Sequence, residues 1–91
     1  MNSFISDECL AQLRKQFPAG SRVELVKMDD PQAPPVGTKG TVYGVDDIGN
    51  IMVAWDNSCG PSVAYGVDIC RKLLYYVQFL TRNIVYFMAH N

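Results

Sequence analysis

Apolar residues near the start of the chain recur every three or four positions, which predicts an amphipathic helix over residues 6–16. Leu10, Leu13 and Phe17 share one face of that helix. Ser6 is expected to cap its first turn, because the side-chain oxygen can accept a backbone N–H that has no partner within the helix. A helix this short is marginal in water by itself, so we expect its apolar face to pack on the residues that follow.

From residue 21 onward the pattern changes to an alternation of apolar and polar residues, which is typical of strands with one buried face. In the first strand, Val23 and Leu25 are expected to point inward, and Arg22 and Glu24 outward. Short strands at regular spacing with glycine-rich turns predict a mainly β fold, a small SH3-like antiparallel barrel. The expected strands cover residues 21–27, 38–45, 51–55, 62–65 and 69 to about 79.

The chain is therefore expected to have three parts. A short N-terminal α-helix occupies residues 1–17, the barrel occupies residues 18–72, and a hydrophobic C-terminal extension occupies residues 73–91. Five of the ten aromatic residues lie in the last 17 positions. That is more apolar surface than a barrel of this size can cover, so the extension must pack against something.

The pattern of the extension fits either a helix or a hairpin of two strands. Two partners remain open for it: the N-terminal helix of its own chain, or a second copy in a homo-oligomer such as a dimer. Membrane attachment is disfavoured, because Arg82 is its one strongly basic residue. The expected interface residues are Leu73, Tyr76, Val77, Leu80, Ile84 and Phe87.

Composition and charge narrow the classes of function. The chain has 91 residues, of which 48% are hydrophobic and 19% charged, so we expect one small globular domain. Eight basic and nine acidic residues give a net charge of -1 without a basic block, which argues against nucleic-acid binding through bulk charge. Cys9, Cys59 and Cys70 have the spacing of neither a zinc site nor a disulfide framework, so we expect free thiols. A cytoplasmic protein is expected, since the sequence shows no signal peptide and no apolar run of membrane-spanning length.

The sequence shows no catalytic constellation. His90 is the single histidine and is next to the last residue, where a chain end is poorly held, so a Ser/His or Cys/His pair is not expected. The aspartate pairs at 29–30 and 46–47 lie at predicted turns, where aspartate accepts backbone N–H groups, and their spacing matches no calcium loop. The chain is therefore predicted to be no enzyme and to carry no cofactor or metal.

The best candidate surface lies between the long loop after the first strand and the turn after the third, where SH3-like barrels generally bind. Acidic loop residues beside aromatic ones suit a basic or proline-containing peptide, through charge-assisted hydrogen bonds and stacking. For Trp55, the alternation also supports a position in the core. The candidate partner-binding residues are Asp29, Asp30, Gln32, Tyr43, Trp55, Asp56 and Tyr65.

The run from Phe17 to Lys72 contains M-D-D-P-Q-A-P-P, G-T-K-G-T-V, V-D-D-I-G and W-D-N. It resembles a family of small bacterial proteins of uncharacterised function that are commonly carried on conjugative elements, plasmids and phages. It is similar, more loosely, to the mind-bomb-type domain of eukaryotic ubiquitin ligases, an SH3-like barrel that binds peptides. The family usually has glycine after Asn57, whereas Ser58 follows here. The resemblance implies the barrel and no particular function.

We therefore expect a non-enzymatic protein-interaction module encoded on a mobile element. One specific form is a counter-defence protein that inhibits a host nuclease by occupying its nucleic-acid channel. The alternative is a nucleic-acid-binding accessory protein, since similar barrels bind DNA or RNA. That alternative requires four cations to converge on one face: Lys27, Lys39, Arg71 and Lys72.

Overall fold

A computed structural model of the chain describes residues 5–57 and 59–74. Within this part of the chain, five antiparallel strands form one sheet in the order β4-β3-β2-β1-β5, and one helix precedes them. The predicted mainly β fold is thereby confirmed. The outer strands β4 and β5 contact each other, so the sheet curls round on itself. The elements are α1 (Asp7–Gln16), β1 (Arg22–Lys27), β2 (Lys39–Val45), β3 (Asn50–Trp55), β4 (Val63–Ala64) and β5 (Ile69–Leu73).

Helix α1 begins where the capping pattern predicted. The Ser6 side chain accepts a hydrogen bond from the backbone N–H of Cys9 at 3.1 Å, which satisfies a donor that the helix leaves unpaired. Leu13 belongs to the buried core, and Phe17 packs against that core as the C-cap residue. The helix is therefore attached to the sheet through its apolar face. No helix in the described ranges is long and apolar enough to cross a membrane.

The buried core lies between the concave face of the sheet and α1. We call that face the inner face, and the opposite one, which carries Arg22 and Thr41, the outer face. Alternation correctly assigned Val23 and Leu25 of β1 as inward and supported the core position of Trp55 in β3, and all three are buried. The core consists of Leu13, Val23, Leu25, Val42, Ile51, Val53, Trp55 and Val63.

A β-bulge in β2 keeps the core residues of that strand facing inward. Val42 pairs with Val53, and three positions later Val45 pairs with Ile51, although strict alternation would turn Val45 outward. The register shift leaves Tyr43 as an extra residue, and this residue is 63% exposed. A comparable shift interrupts the pairing of β1 with β5. These bulges follow from packing across strands, which a local pattern does not record.

Trp55 joins three separate segments of the chain. The residue is 6% exposed, and its indole N–H donates to the carbonyl oxygen of Pro61 at 3.2 Å. A Cβ on Gly60 would lie 3.0 Å from the Trp55 ring and 2.9 Å from Pro34. The segment after β3 and the loop between β1 and β2 therefore meet at the edge of this indole, where Pro34 is buried.

Two strands differ from the sequence prediction. The fourth strand was expected over residues 62–65 but consists of Val63–Ala64, because the Ala64 carbonyl accepts N–H bonds from Val67 and Asp68 and turns the chain. The fifth strand was expected to reach about residue 79, and β5 ends at Leu73. The rest of that prediction, residues 75 to about 79, lies outside the described residues.

The first prediction concerns Gly40 in β2. A Cβ there would lie 2.5 Å from Val53 Cγ1 and 2.8 Å from the Ala54 carbonyl oxygen, and a backbone atom cannot move aside. Gly40→Ala should therefore lower the free energy of unfolding by about 1–3 kcal/mol or more. Gly44→Ala is the matched control in the same strand, because its Cβ would meet only the flexible end of Met52 at 3.0 Å.

Urea denaturation of the two variants and the parent measures the difference. Gly44→Ala should cost clearly less than Gly40→Ala, since a methionine terminus can rotate away. Equal losses in the two variants would show that the close approach of β3 to Gly40 does not limit packing.

Candidate partner-binding surface

The loop between β1 and β2, residues 28–38, is ordered by its own hydrogen bonds, and we call it the long loop. The Asp30 carboxylate accepts the Gln32 N–H at 2.7 Å, and the Asp30 carbonyl accepts the Ala33 N–H at 2.9 Å. Further along, the Pro35 carbonyl accepts both the backbone N–H of Thr38 and its hydroxyl, at 3.0 and 2.6 Å. The aspartate and proline positions thus act as turn formers.

The long loop is also attached to the rest of the fold at its base and at its middle. At its base, Leu25 exchanges two backbone hydrogen bonds with the loop: its carbonyl accepts from Gly37 N–H at 2.8 Å, and its N–H donates to the Thr38 carbonyl at 2.9 Å. Gly37 has a φ of 94°, a conformation that favours glycine. At its middle, Pro34 is buried against the Trp55 region. The loop is therefore fixed relative to the sheet.

Three of the seven candidate residues lie together on this loop. Asp29, Asp30 and Gln32 are all exposed. One oxygen of Asp30 is used in the turn, while its other oxygen and the Asp29 carboxylate accept no hydrogen bond from the described residues. This end of the long loop therefore presents carboxylate oxygens to solvent.

Asp56 lies elsewhere, on the outer face, in an ion pair with Arg22. The two guanidinium nitrogens Nη1 and Nη2 donate to the two carboxylate oxygens at 2.8 and 2.6 Å, and Nη1 also donates to Thr41 Oγ1 at 2.9 Å. The hydrogen bonds from Arg22 lower the pKa of Asp56, and the charge of Lys39 acts in the same direction. The sequence did not reveal this pair, because its two residues are 34 positions apart.

The three aromatic candidates occupy three different places. Trp55 is in the core, so its ring is not available to a partner in this arrangement. Tyr43 is exposed at the β2 bulge. Tyr65 is 46% exposed and lies beside Gly49. A Cβ on Gly49 would lie 3.0 Å from the Tyr65 side chain and 3.1 Å from that of Ile5. The seven candidates therefore do not form one continuous surface, and the loop residues are the subset that the fold brings together.

Of the four basic residues that nucleic-acid binding would require, Arg71 and Lys72 contact different parts of the fold. Arg71 donates to Glu24 Oε1 at 2.9 Å on the outer face. Lys72, the next residue of β5, donates from Nζ to the Gln16 carbonyl at 2.5 Å, at the end of α1. Since successive strand residues point to opposite faces, these two cations cannot share a face.

A shallow groove beside α1 was not predicted from the sequence. Tyr65 forms one wall, and side chains of α1 that are four residues apart form the other. That spacing is the sequence signal that could have indicated the groove. A hydrogen bond with Cys9 raises the pKa of the Tyr65 hydroxyl, so the two side chains are neighbours at one end. We call this feature the helix groove; its lining residues are Glu8, Cys9, Gln12, Leu13, Gln16 and Tyr65.

Of the residues predicted to form an oligomer interface, Leu73 is half-buried at the end of β5, where it pairs with Arg22. The other five lie outside the described residues: Tyr76, Val77, Leu80, Ile84 and Phe87. Among residues 5–57 and 59–74, no group of three or more His, Cys, Asp or Glu side chains is placed to hold a metal ion.

A pH dependence follows from Asp46 in the β2–β3 turn. Partial burial acts to raise its pKa, but hydrogen bonds from Asn50, Ile48 and Gly49 outweigh burial and hold the pKa below its ordinary value. A lowered pKa in the folded state stabilises the fold above the unfolded-state value, and that contribution is lost as the pH falls through the folded-state pKa. The free energy of unfolding should therefore fall from about pH 5 toward pH 2.

Asp46→Asn tests the origin of this dependence. It should lower the free energy of unfolding at pH 7 by about 1 kcal/mol or less, and its deficit should shrink near pH 2, where the parent has also lost the charge. Asp47→Asn changes the same charge in the same turn, at a side chain that is 94% exposed. Urea denaturation at both pH values measures this, and a deficit of Asp46→Asn that is equal at both would contradict it.

Comparison with known proteins identifies the unit to which these elements belong. No curated protein and no solved structure matches the chain. A family model described as a domain of unknown function, DUF4314, matches residues 6–73. That range contains α1 with its capping residue and all five strands, so the helix and the sheet are parts of one family unit. The chain therefore belongs to the DUF4314 family.

Proposed function

We propose that this chain is a non-enzymatic protein-interaction module of a bacterial mobile element, which binds a basic partner through the long loop. The observation that supports this proposal is the combination of a fixed backbone with exposed carboxylates at Asp29 and Asp30. A loop that is already ordered loses little conformational entropy on binding. Its contacts with a partner therefore contribute more fully to affinity.

The chemistry of the loop selects the partner. Carboxylate oxygens form their strongest hydrogen bonds with the ammonium group of lysine and the guanidinium group of arginine. The neighbouring Pro31 and Gln32 are also exposed, and the Gln32 side chain adds a donor and an acceptor beside the charges. We therefore propose a basic segment of a protein as the partner. One specific form is a basic nucleic-acid channel of a host nuclease, in which these carboxylates replace phosphate groups.

The other charged groups support a binding role rather than catalysis. The two aspartates with lowered pKa values have structural partners: Asp46 closes a turn and Asp56 binds Arg22. A general base needs a pKa near the working pH, and these shifts are in the opposite direction. Asp68 is likewise used within the fold, where it accepts the Ala64 N–H at 2.9 Å.

Nucleic-acid binding is the second candidate, and the charge geometry favours it less. Arg71 is paired with Glu24, and Lys72 points to the other face and contacts the end of α1. A phosphate backbone is held by several cations acting together, and two of the four required here are separated by the sheet.

The third prediction changes the charge of the loop without removing its turn. Asp29→Lys reverses a charge that is not used in the fold, and Asp30→Asn keeps an oxygen that can accept the Gln32 N–H. The double variant should lose at least about tenfold in affinity for basic peptides while its melting temperature stays within a few degrees of the parent. The control is Asp7→Lys with Glu8→Gln, which changes the net charge equally at the start of α1.

A synthetic peptide array that varies lysine, arginine and proline content provides the probes. The parent should bind more strongly as the basic content rises, and the control should match the parent. Binding that is indifferent to basic content, or that is reduced equally by the loop variant and the control, would overturn the proposed loop interaction.

The fourth prediction separates the two candidate functions. Affinity for a short DNA duplex, measured across a salt titration, should be weak and nearly flat, because Arg71 and Lys72, two of the four required cations, lie on opposite faces of the sheet. A steep fall of affinity with rising salt would support the nucleic-acid-binding alternative instead.

A further inference from the structure

We infer that the helix groove is an intramolecular docking site for the C-terminal segment of the same chain, residues 75–91. The groove has a volume of about 240 Å³ and is open to solvent. That is below the range of about 300–1,000 Å³ that is typical of small-molecule sites. A row of side chains from a docked segment suits such a shallow groove better than an enclosed ligand does.

The lining of the groove is suited to apolar side chains. Leu13 and Cys9 lie beside the ring of Tyr65, which is 46% exposed. Gln12 and Gln16 contribute their methylene groups, since long polar side chains keep only their ends in water. The groove therefore offers an apolar floor with polar edges, which is the usual arrangement of a site for a peptide segment.

The path of the chain identifies the occupant. Lys72, two residues before the end of the described range, donates from Nζ to the carbonyl of Gln16, and Gln16 lines the groove. The last described residues of the chain therefore lie near one end of the groove. The groove follows α1 from Gln16 back to Glu8, a distance of about 12 Å at the rise of a helix.

The seventeen residues of the segment are long enough and apolar enough to fill the groove. They span about 25 Å if helical and about 55 Å if extended, so either conformation reaches its far end. They include five of the ten aromatic residues of the chain. A segment joined to its site by a few residues binds at a high effective concentration, which favours the same chain over a second copy.

Cys9 makes the proposal measurable. Its thiol is exposed in the groove, whereas Cys59 is exposed outside it and serves as an internal reference. Cys70 reports on the fold, because burial raises the pKa of its thiol to about 11 and keeps it slow to react. Alkylation rates of all three cysteines can be followed together in the full-length protein by peptide mass spectrometry.

In the experiment, Val77→Asp with Leu80→Asp removes apolar side chains from the segment. Thr81→Asp with Asn83→Asp adds the same charge at polar positions and is the matched control. We expect Cys9 to react at least about tenfold faster in the first variant than in the parent, with the control within about twofold of the parent. Cys59 should be unchanged in all three proteins.

A second pair of variants acts from the groove itself, for the case in which Cys70 shows that the tail variant has unfolded. Gln12→Glu places a charge in the groove, and Ala11→Glu places it on the neighbouring helix face. Only Gln12→Glu should speed the reaction of Cys9. The added charge by itself would slow a nearby thiol, so an increase reports release of the segment.

Dilution distinguishes a segment of the same chain from a second copy as the occupant of the groove. Protection of Cys9 within one chain should be unchanged over about a hundredfold dilution, with a monomer mass by light scattering. Protection that is lost on dilution would assign the groove to a second copy and overturn the inference. Equal Cys9 rates in the parent and both groove-disrupting variants would show that nothing covers the groove.

Discussion

The packing of the Trp55 indole is the constraint on which the rest of the structure depends. Gly40 lies against one part of the ring and Gly60 against its edge, and Pro34 of the long loop approaches Gly60 at the same place. The long loop is held near the sheet at this point through Pro34. A tryptophan buries more area than any other side chain, so one ring can determine the positions of several loops. The exposed aspartates of the loop thus owe their fixed position to a core residue.

Local rules accounted for the parts of the fold that depend on neighbouring residues. Ser6 caps α1, and the inward positions of Val23 and Val53 follow from alternation, because a cap or a strand face is decided within a few residues. The bulge at Tyr43 was beyond such rules, since it arises from matching β2 to the core positions of β3. The glycine that follows it, Gly44, was the sequence signal of a bend, without indicating its register.

The candidate surface was predictable to a similar extent. The acidic end of the long loop could be located, because aspartate and proline mark turns through local chemistry. The pairing of Asp56 with Arg22 could not, since it joins residues 34 positions apart, one in β1 and one just after β3, with β2 between these strands. The same holds for the contact of Lys72 with Gln16, which brings the end of β5 to the end of α1. Residues close in sequence predict the turns, whereas the arrangement of the strands determines which charged side chains pair with one another.

That neutralisation determines what the surface can recognise. Ion pairs link α1 to the β2–β3 turn through Arg14 and Asp47, and link β1 to its surroundings on the outer face through Asp56 and Arg71. A charge held in such a pair is already compensated and contributes little to attracting a partner. Asp29 is not part of such a pair among the described residues, and it lies on a loop whose backbone does not need to be ordered on binding. The long loop therefore carries negative charge that is not compensated by the described residues and that is held in a fixed position.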